Sequence, residues 1–389
     1  MFYGKNLQVV RMLHGLSRKE LGERLNVSEQ SIWQFEKQAT TPSFENILEM
    51  KKIFQVKTAF FFEEFIVPKT FSEGSVAYRK GDITSRKKTN SEVVYLNVIA
   101  EVIRYLESFL NAPPRVILTL REKVSGYLNE ELTYEKIEVI AEKAREFLAI
   151  QENNANLLVS LEKSGIHVLE KNVGGKADAY SAWSTEEVPI IVLGIKKSSV
   201  RRNFDLAHEL GHLLLHPHLD FLSMEKQEQQ QIESEADYFA SCFLLPREEV
   251  KKDFAIMRKC SNPDSYIPLK VKYNVSIQAL EMKAYKLGFL TAKQHSYFYR
   301  QIALKKYKRE EPLDKEIALK RPGKIRSIFQ LILSNRLLDI QDIEEHFKME
   351  RGLIEDMLSI EKTFFTPYVD EEVFTSLDNV LRPNFHFAQ

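Results

Sequence analysis

The run His208-Glu209-Leu210-Gly211-His212 lies inside Phe204 to His216, a stretch with helical apolar spacing. On a helix, positions i and i+4 share a face, so His208 and His212 can offer two imidazoles to one metal ion while Glu209 reaches the water beside it. Zinc lowers the pKa of a water it holds from 15.7 to roughly 7, and a neighbouring carboxylate can take the released proton as that water attacks a carbonyl. The pattern is the minimum for a zinc peptidase and needs a third ligand. Without one, it describes two histidines on an ordinary amphipathic helix.

Two segments could supply the third ligand. His218 stands at the last position of an extended HExxHxxGxxH pattern, but that pattern needs a glycine to turn the chain, and Leu215 occupies that place. Downstream, Gln231 to Leu245 has helical spacing in Ile232, Ala236, Phe239, Ala240 and Phe243. Glu233 and Asp237 are i, i+4 neighbours there, and the small Ala236 and Ala240 allow another helix to come close. Glu233 is therefore the preferred third ligand. Asp237 would accept from an imidazole N–H of His208 and fix its tautomer. Glu235 points about 200° away from Glu233. It is the alternative ligand, and otherwise a solvated surface carboxylate.

Arg201 to His216 (RRNFDLAHELGHLLLH) followed by Glu233 to Pro246 (ESEADYFASCFLLP) resembles the ImmA/IrrE family of zinc metallopeptidases. DAYSAW (178–183) and PIIVLGI (189–195) are similar to the strands before the active-site helix of that family, and Tyr273 to Thr291 to its C-terminal helical segment. The resemblance covers most of Asn153 to Pro312. It implies a gluzincin-like fold with two histidines and a glutamate on Zn²⁺, and site-specific proteolysis of a helix-turn-helix repressor in a stress-response or mobile-element switch.

At the N-terminus, Ser17 to Glu20 has a capping-box pattern, Asn26-Val27 makes a turn, and Ser28 caps a helix running to about Lys37. Leu21, Leu25, Val27, Ile32 and Phe35 would bury two short helices against each other, a helix-turn-helix. This segment resembles the lambdoid-repressor, or XRE, family, which implies five helices over residues 1–65. Glu29, Gln30 and Gln34 stand where such repressors read bases. Glutamines suit adenine N6 and N7, and a glutamate can accept from cytosine N4. Arg18, Lys19 and Lys37 are candidate phosphate contacts. Trp33 is expected on or near the exposed side. Gln38 replaces the glycine usual after the recognition helix, so the left-handed cap there is either lost or strained. Glu20, Glu23, Glu29, Glu36, Glu45 and Glu49 nearly balance the basic residues, so non-specific DNA affinity should be weak, and protein contact or dimerisation is the alternative use of the module.

The chain has 389 residues, 44% hydrophobic and 28% charged, which suits two or three soluble globular domains. No apolar run approaches a membrane span and no signal-type h-region follows Lys5 and Arg11, so a cytoplasmic protein is expected. Net charge is zero, so the whole molecule shows no electrostatic signature for nucleic acid. Cys242 and Cys260 form no CxxC site, and Cys242 sits in an apolar run as a small hydrophobe.

Residues 66–91, rich in Gly, Ser, Thr, Lys and Arg, are the expected linker. Helices are expected over 92–111 and 134–149, and short strands over 166–169, 177–183 and 190–195. The gluzincin-like resemblance implies an edge strand that takes peptide by strand addition, here Tyr180 to Trp183 or Ile190 to Leu193, with core packing as the alternative for each. The peptidase domain is expected over 92–312. Residues 313–389 read as helices, with DIQDIEEHFKMERGLIEDML suggesting another helix-turn-helix or partner-binding unit. No internal repeat stands out.

The fold expected is mostly α within an α+β class: a five-helix DNA-binding domain, a gluzincin-like domain with a small sheet, and a helical C-terminal region. The expected protein is a zinc endopeptidase with His208, His212 and Glu233 on the metal, Glu209 as general base, Asp237 behind His208, and Tyr180, Tyr238 or His216 as oxyanion donor. Its expected partners are a repressor-like protein substrate and DNA, with a homodimer as a candidate assembly. A regulator or toxin–antitoxin component with a structural or sensory zinc is the alternative.

Overall fold

The computed structural model describes residues 1–75, 77–78, 86–129, 131–171, 179–195, 197–217, 219–220 and 223–368. His218 lies outside the described residues, as do 369–389. The chain divides into two compact units, one of Met1–Ile66, Tyr105–Leu110 and Arg326–Gln389, the other of Val67–Arg104 and Asn111–Ile325.

In the first unit, α1 (Gly4–Leu13), α2 (Arg18–Leu25), α3 (Glu29–Glu36) and α4 (Phe44–Phe54) precede a 3₁₀ turn, Thr58–Phe61. That turn stands where a fifth α-helix is expected. It is four residues long, the short length at which i→i+3 turns are used. Ser17 and Glu20 form the expected capping box, and Ser28 accepts from the Ser31 N–H. Asn26 closes α2 in the left-handed region at φ 54°. Gly22 is needed there, since a Cβ would fall 2.7 Å from the Val27 carbonyl oxygen across the turn.

The same unit holds a second copy of this motif. Further along the chain, α5 (Arg86–Glu107), α6 (Val116–Leu128), α7 (Tyr134–Phe147), α8 (Leu157–Lys163), α9 (Ser199–Leu215), α10 (Lys226–Leu244), α11 (Arg247–Ile256), α12 (Ile267–Tyr273), α13 (Ile277–Lys286) and α14 (Ala292–Leu304) lead to α15 (Lys324–Ser334), α16 (Ile340–Phe347) and α17 (Arg351–Leu358). The pair α16–α17 repeats α2–α3 position for position. Asp339 matches Ser17 in a capping box, Lys348 matches Asn26 at φ 53°, and Glu350 matches Ser28 at the N-cap. Buried Ile343, Phe347, Ile354 and Met357 match Leu21, Leu25, Ile32 and Phe35. The second motif docks through its turn. Val56 and Met349 form an antiparallel bridge, with Lys57 N–H on the Lys348 carbonyl and Glu350 N–H on the Gln55 carbonyl, each at 2.8 Å.

The second unit starts earlier than expected. The backbone N–H groups of Thr70 and Phe71 donate to Asn97 Oδ1 on α5, so part of the stretch expected as linker is packed, with Phe71 buried. It also ends later than expected, because Lys270 pairs with Glu311 and Asp314, and Glu162 receives the N–H groups of Gly323 and Lys324. Its sheet has the order β1-β3-β4-β2, from β1 (Ala77–Tyr78), β2 (His167–Lys171), β3 (Ala179–Trp183) and β4 (Pro189–Gly194). β2 and β4 run parallel, and the other pairs are antiparallel. Neither β3 nor β4 is an edge, contrary to the strand-addition expectation, because Ala77–Tyr78 pairs along the outer side of β3.

Helix α9 lies on this sheet and α10 crosses α9. Alternation along β3 puts Ser181 and Trp183 on the α9 side, where Trp183 Nε1 donates to the Leu213 carbonyl at 2.9 Å. A continuous apolar core joins α6–α10, the sheet and α11–α14. Burying Leu206, Leu210, Leu213 and Leu214 fixes the rotation of α9. The stripe His208, His212, His216 then faces α10.

Candidate metal centre

Three side chains converge between α9 and α10. His208 Nε2 and His212 Nε2 lie 3.0 Å apart, and the Glu233 carboxylate reaches them at 3.6 and 3.4 Å. Two donors each 2.0–2.1 Å from a tetrahedral zinc stand about 3.3 Å apart, so the observed spacings fit such an ion. Two imidazoles and one carboxylate are also the ligand types of a catalytic rather than a closed structural zinc site. The histidines are almost wholly buried. Glu233 is held below the usual carboxylate range: burial pushes its carboxyl up, and the hydrogen bond and charge of His212 and the charge of His208 outweigh that.

Asp237 Oδ1 accepts from His208 Nδ1 at 2.9 Å. Glu235 differs from expectation. It is buried rather than solvated, and its Oε2 lies 2.9 Å from His216 Nε2. It does not join the ligand cluster, which consists of His208, His212 and Glu233 among the described residues.

Glu209 is buried and pushed up to about 7, chiefly by loss of hydration, against the opposing His212 charge and a 2.7 Å hydrogen bond donated by Ser181 Oγ. Burial thus brings a carboxylate into the range where it can take and return a proton near neutral pH. Ser181 is a residue that sequence reasoning missed. The available signal was the strand period, which puts Ser181 on the same face as Trp183.

The three candidate oxyanion donors are engaged by other groups. Tyr180 is on the opposite face of β3 and donates to Glu92 Oε2 at 2.5 Å. Tyr238 turns to Glu138, 3.5 Å away and itself bridged to Arg247. His216 is occupied by Glu235 and His212.

On the helix-turn-helix, Glu29, Gln30 and Lys37 are exposed and Gln34 is half-buried, while Trp33 is 40% exposed. Arg18 is tied to Glu36, its Nε 2.6 Å from Oε2, and Arg11 holds the other oxygen of that buried carboxylate. Gln38 takes the left-handed conformation at φ 57°, and its side-chain amide donates to the Phe2 carbonyl. The expected glycine-type cap is therefore kept by a strained non-glycine residue.

Residues 161–285 match a peptidase-family model described as the IrrE N-terminal-like domain, and residues 7–61 match a helix-turn-helix model. The chain thus carries one segment similar to a helix-turn-helix domain and, further along, one similar to an IrrE N-terminal-like domain. The resemblance to ImmA/IrrE proteins with an XRE-type head holds for both segments. All the ligand-cluster residues, Glu209, Ser181 and Asp237 fall inside the matched IrrE-like span. The second helix-turn-helix copy falls outside both spans. No curated protein matches the chain. Among the described residues, no helix is long and apolar enough to cross a membrane.

Proposed function

We propose that this chain is a zinc-dependent endopeptidase of the cytoplasm that cleaves a repressor-like protein, with its helix-turn-helix domain as a DNA-reading head. The observation that carries this reading is Glu209. A site built only to hold an ion has no use for a second, buried carboxylate beside the donor triad, kept in place by Ser181.

His208, His212 and Glu233 would hold Zn²⁺, which when bound supplies a Lewis acid for the scissile carbonyl and acidifies water. Glu209 takes the proton of the attacking water and returns it to the departing amine, the task of a buried carboxylate held beside the donor triad. Ser181 fixes the carboxylate rotamer from behind. Asp237 holds the Nδ1 proton of His208 and so leaves Nε2 free as a donor. Because β1 pairs with the outer side of β3, a peptide binding there by strand addition would have to displace residues 77–78.

For the DNA head, exposed Glu29, Gln30 and Lys37 and half-buried Gln34 on or beside α3 support base and backbone contacts. Arg18 would act on phosphate only while keeping its bond to Glu36. A repressor substrate follows from the resemblance to ImmA/IrrE proteins. The test compares proteomes of cells expressing the wild type and Glu209→Gln. A repressor lost only with the wild type supports the reading, and no difference with zinc bound in both supports a sensory or structural zinc.

A further inference from the structure

The histidine stripe of α9 does not stop at the ligands. His212 Nδ1 lies 3.3 Å from His216 Nδ1, His216 Nε2 lies 2.9 Å from Glu235 Oε2, and Glu235 Oε1 lies 2.9 Å from Gln231 Nε2. His212, His216 and Glu235 are each more than nine-tenths buried. Only one proton arrangement satisfies this chain once Nε2 of His212 serves as a metal donor. His212 must then carry its proton on Nδ1 and donate it to His216 Nδ1, which accepts only if the His216 proton sits on Nε2. That proton is donated to Glu235, whose other oxygen accepts from the Gln231 amide.

We propose that His216 and Glu235 are positioning residues for the metal centre, fixing the tautomer and ring angle of His212 as Asp237 does for His208. Each ligand histidine thus has its own carboxylate. Asp237 contacts His208 directly, while Glu235 reaches His212 through an intervening imidazole. Both carboxylates come from α10, the helix that also supplies Glu233, so one helix sets the whole donor set. The difference between the two arms has a physical consequence. The Asp237 side chain is 48% exposed and that of Glu235 10%, so water can replace Asp237 more readily than it can replace the buried relay.

This inference rests on the metal-centre reading, and the experiment separates the two. The full chain is labelled with ¹⁵N-histidine, loaded with zinc, and examined by long-range ¹H–¹⁵N correlation of the imidazoles, with zinc affinity measured by competition with a chromophoric chelator. The expected spectrum has His212 protonated on Nδ1 and His216 on Nε2. His216→Leu is expected to weaken zinc about 10- to 100-fold. His216→Gln, whose amide can both accept from His212 and donate to Glu235, is expected to recover most of that loss. Zinc bound by the wild type with His216 protonated on Nδ1 would overturn the positioning role, as would His216→Leu holding zinc as tightly as the wild type. A wild type that takes up no zinc would instead sink the metal-centre reading. The wild-type spectrum needs no variant, so a misfolded His216→Leu does not remove the test.

Discussion

Gly211 faces Ala236 across the α9–α10 crossing, where a Cβ on the glycine would fall 3.4 Å from Ala236 Cα and 3.1 Å from Phe239 Cδ1. The absent side chain sets how near Glu233 and Asp237 come to the histidines. Gly211→Ala is expected to cost about 1–3 kcal/mol by overpacking, offset by up to about 1 kcal/mol of helix propensity. It should also weaken zinc binding to the extent that α10, rather than the Phe239 ring, gives the few tenths of an ångström required. Denaturant melts and chelator competition check both, and Gly211→Ala with unchanged zinc affinity would show that the crossing distance does not control the site.

The donor set itself gives a second expectation. His208→Ala, His212→Ala and Glu233→Ala should each lose most of the metal, from about one zinc per chain in the wild type, by elemental analysis after dialysis. Asp237→Ala should retain zinc but bind it about 10- to 100-fold more weakly. Loss of zinc on Asp237→Ala equal to that on Glu233→Ala would make Asp237 a ligand.

Glu209 links the site to stability. Its folded-state carboxyl is pushed up to about 7 from an ordinary 4.5, so between those values the folded chain keeps a proton that the unfolded chain has released. Stability of the metal-free protein should therefore fall as pH rises from 4.5 to 7, by about 3 kcal/mol at most. Glu209→Gln cannot ionise and escapes this loss. With zinc removed by chelation, the variant should gain stability over the wild type between pH 5 and 8, and the gain should vanish near pH 4. A difference independent of pH would mean that Glu209 is not held protonated.

The convergence of His208, His212, Glu233 and Asp237 was legible because the helical period of α9 and α10 puts such residues at i, i+4, and the period alone says which share a face. Glu235 was misread for the same reason. The helix wheel turns it away from Glu233 but cannot show that His216, one turn beyond the ligands, waits for it. Tyr180 and Ser181 depended on which face of β3 meets α9, a choice made by Trp183 and the leucines of α9 rather than by local sequence. The second helix-turn-helix escaped notice as a repeat because its identity with the first is nearly gone. Between Ser17–Glu36 and Asp339–Leu358 the identical pairs are Glu23 with Glu345 and Ile32 with Ile354. What persists is the pattern of caps, the left-handed turn and the apolar positions, which is what two packed short helices require.

That repeat yields the last expectation, because the two reading helices are used differently. On α3, Gln30 is exposed and Gln34 half-buried. Their counterparts on α17 are Gly352, where a Cβ would press on the end of the flexible Gln55 side chain, and Asp356, an acidic residue that phosphate would repel. Glu355, which matches Trp33, is buried. The second copy therefore spends its turn and the start of α17 on the first copy instead of on a ligand. Gln30→Ala or Gln34→Ala should cost about 1–3 kcal/mol at a selected operator and relax preference at one position, with non-specific affinity nearly unchanged. Asp356→Asn should leave the selected sequence as it is. Selection from a random duplex library measures all three. If no sequence is enriched by the wild type, the first copy is a protein-contact module. If Asp356→Asn alters the enriched sequence while Gln34→Ala does not, the reading helix is α17.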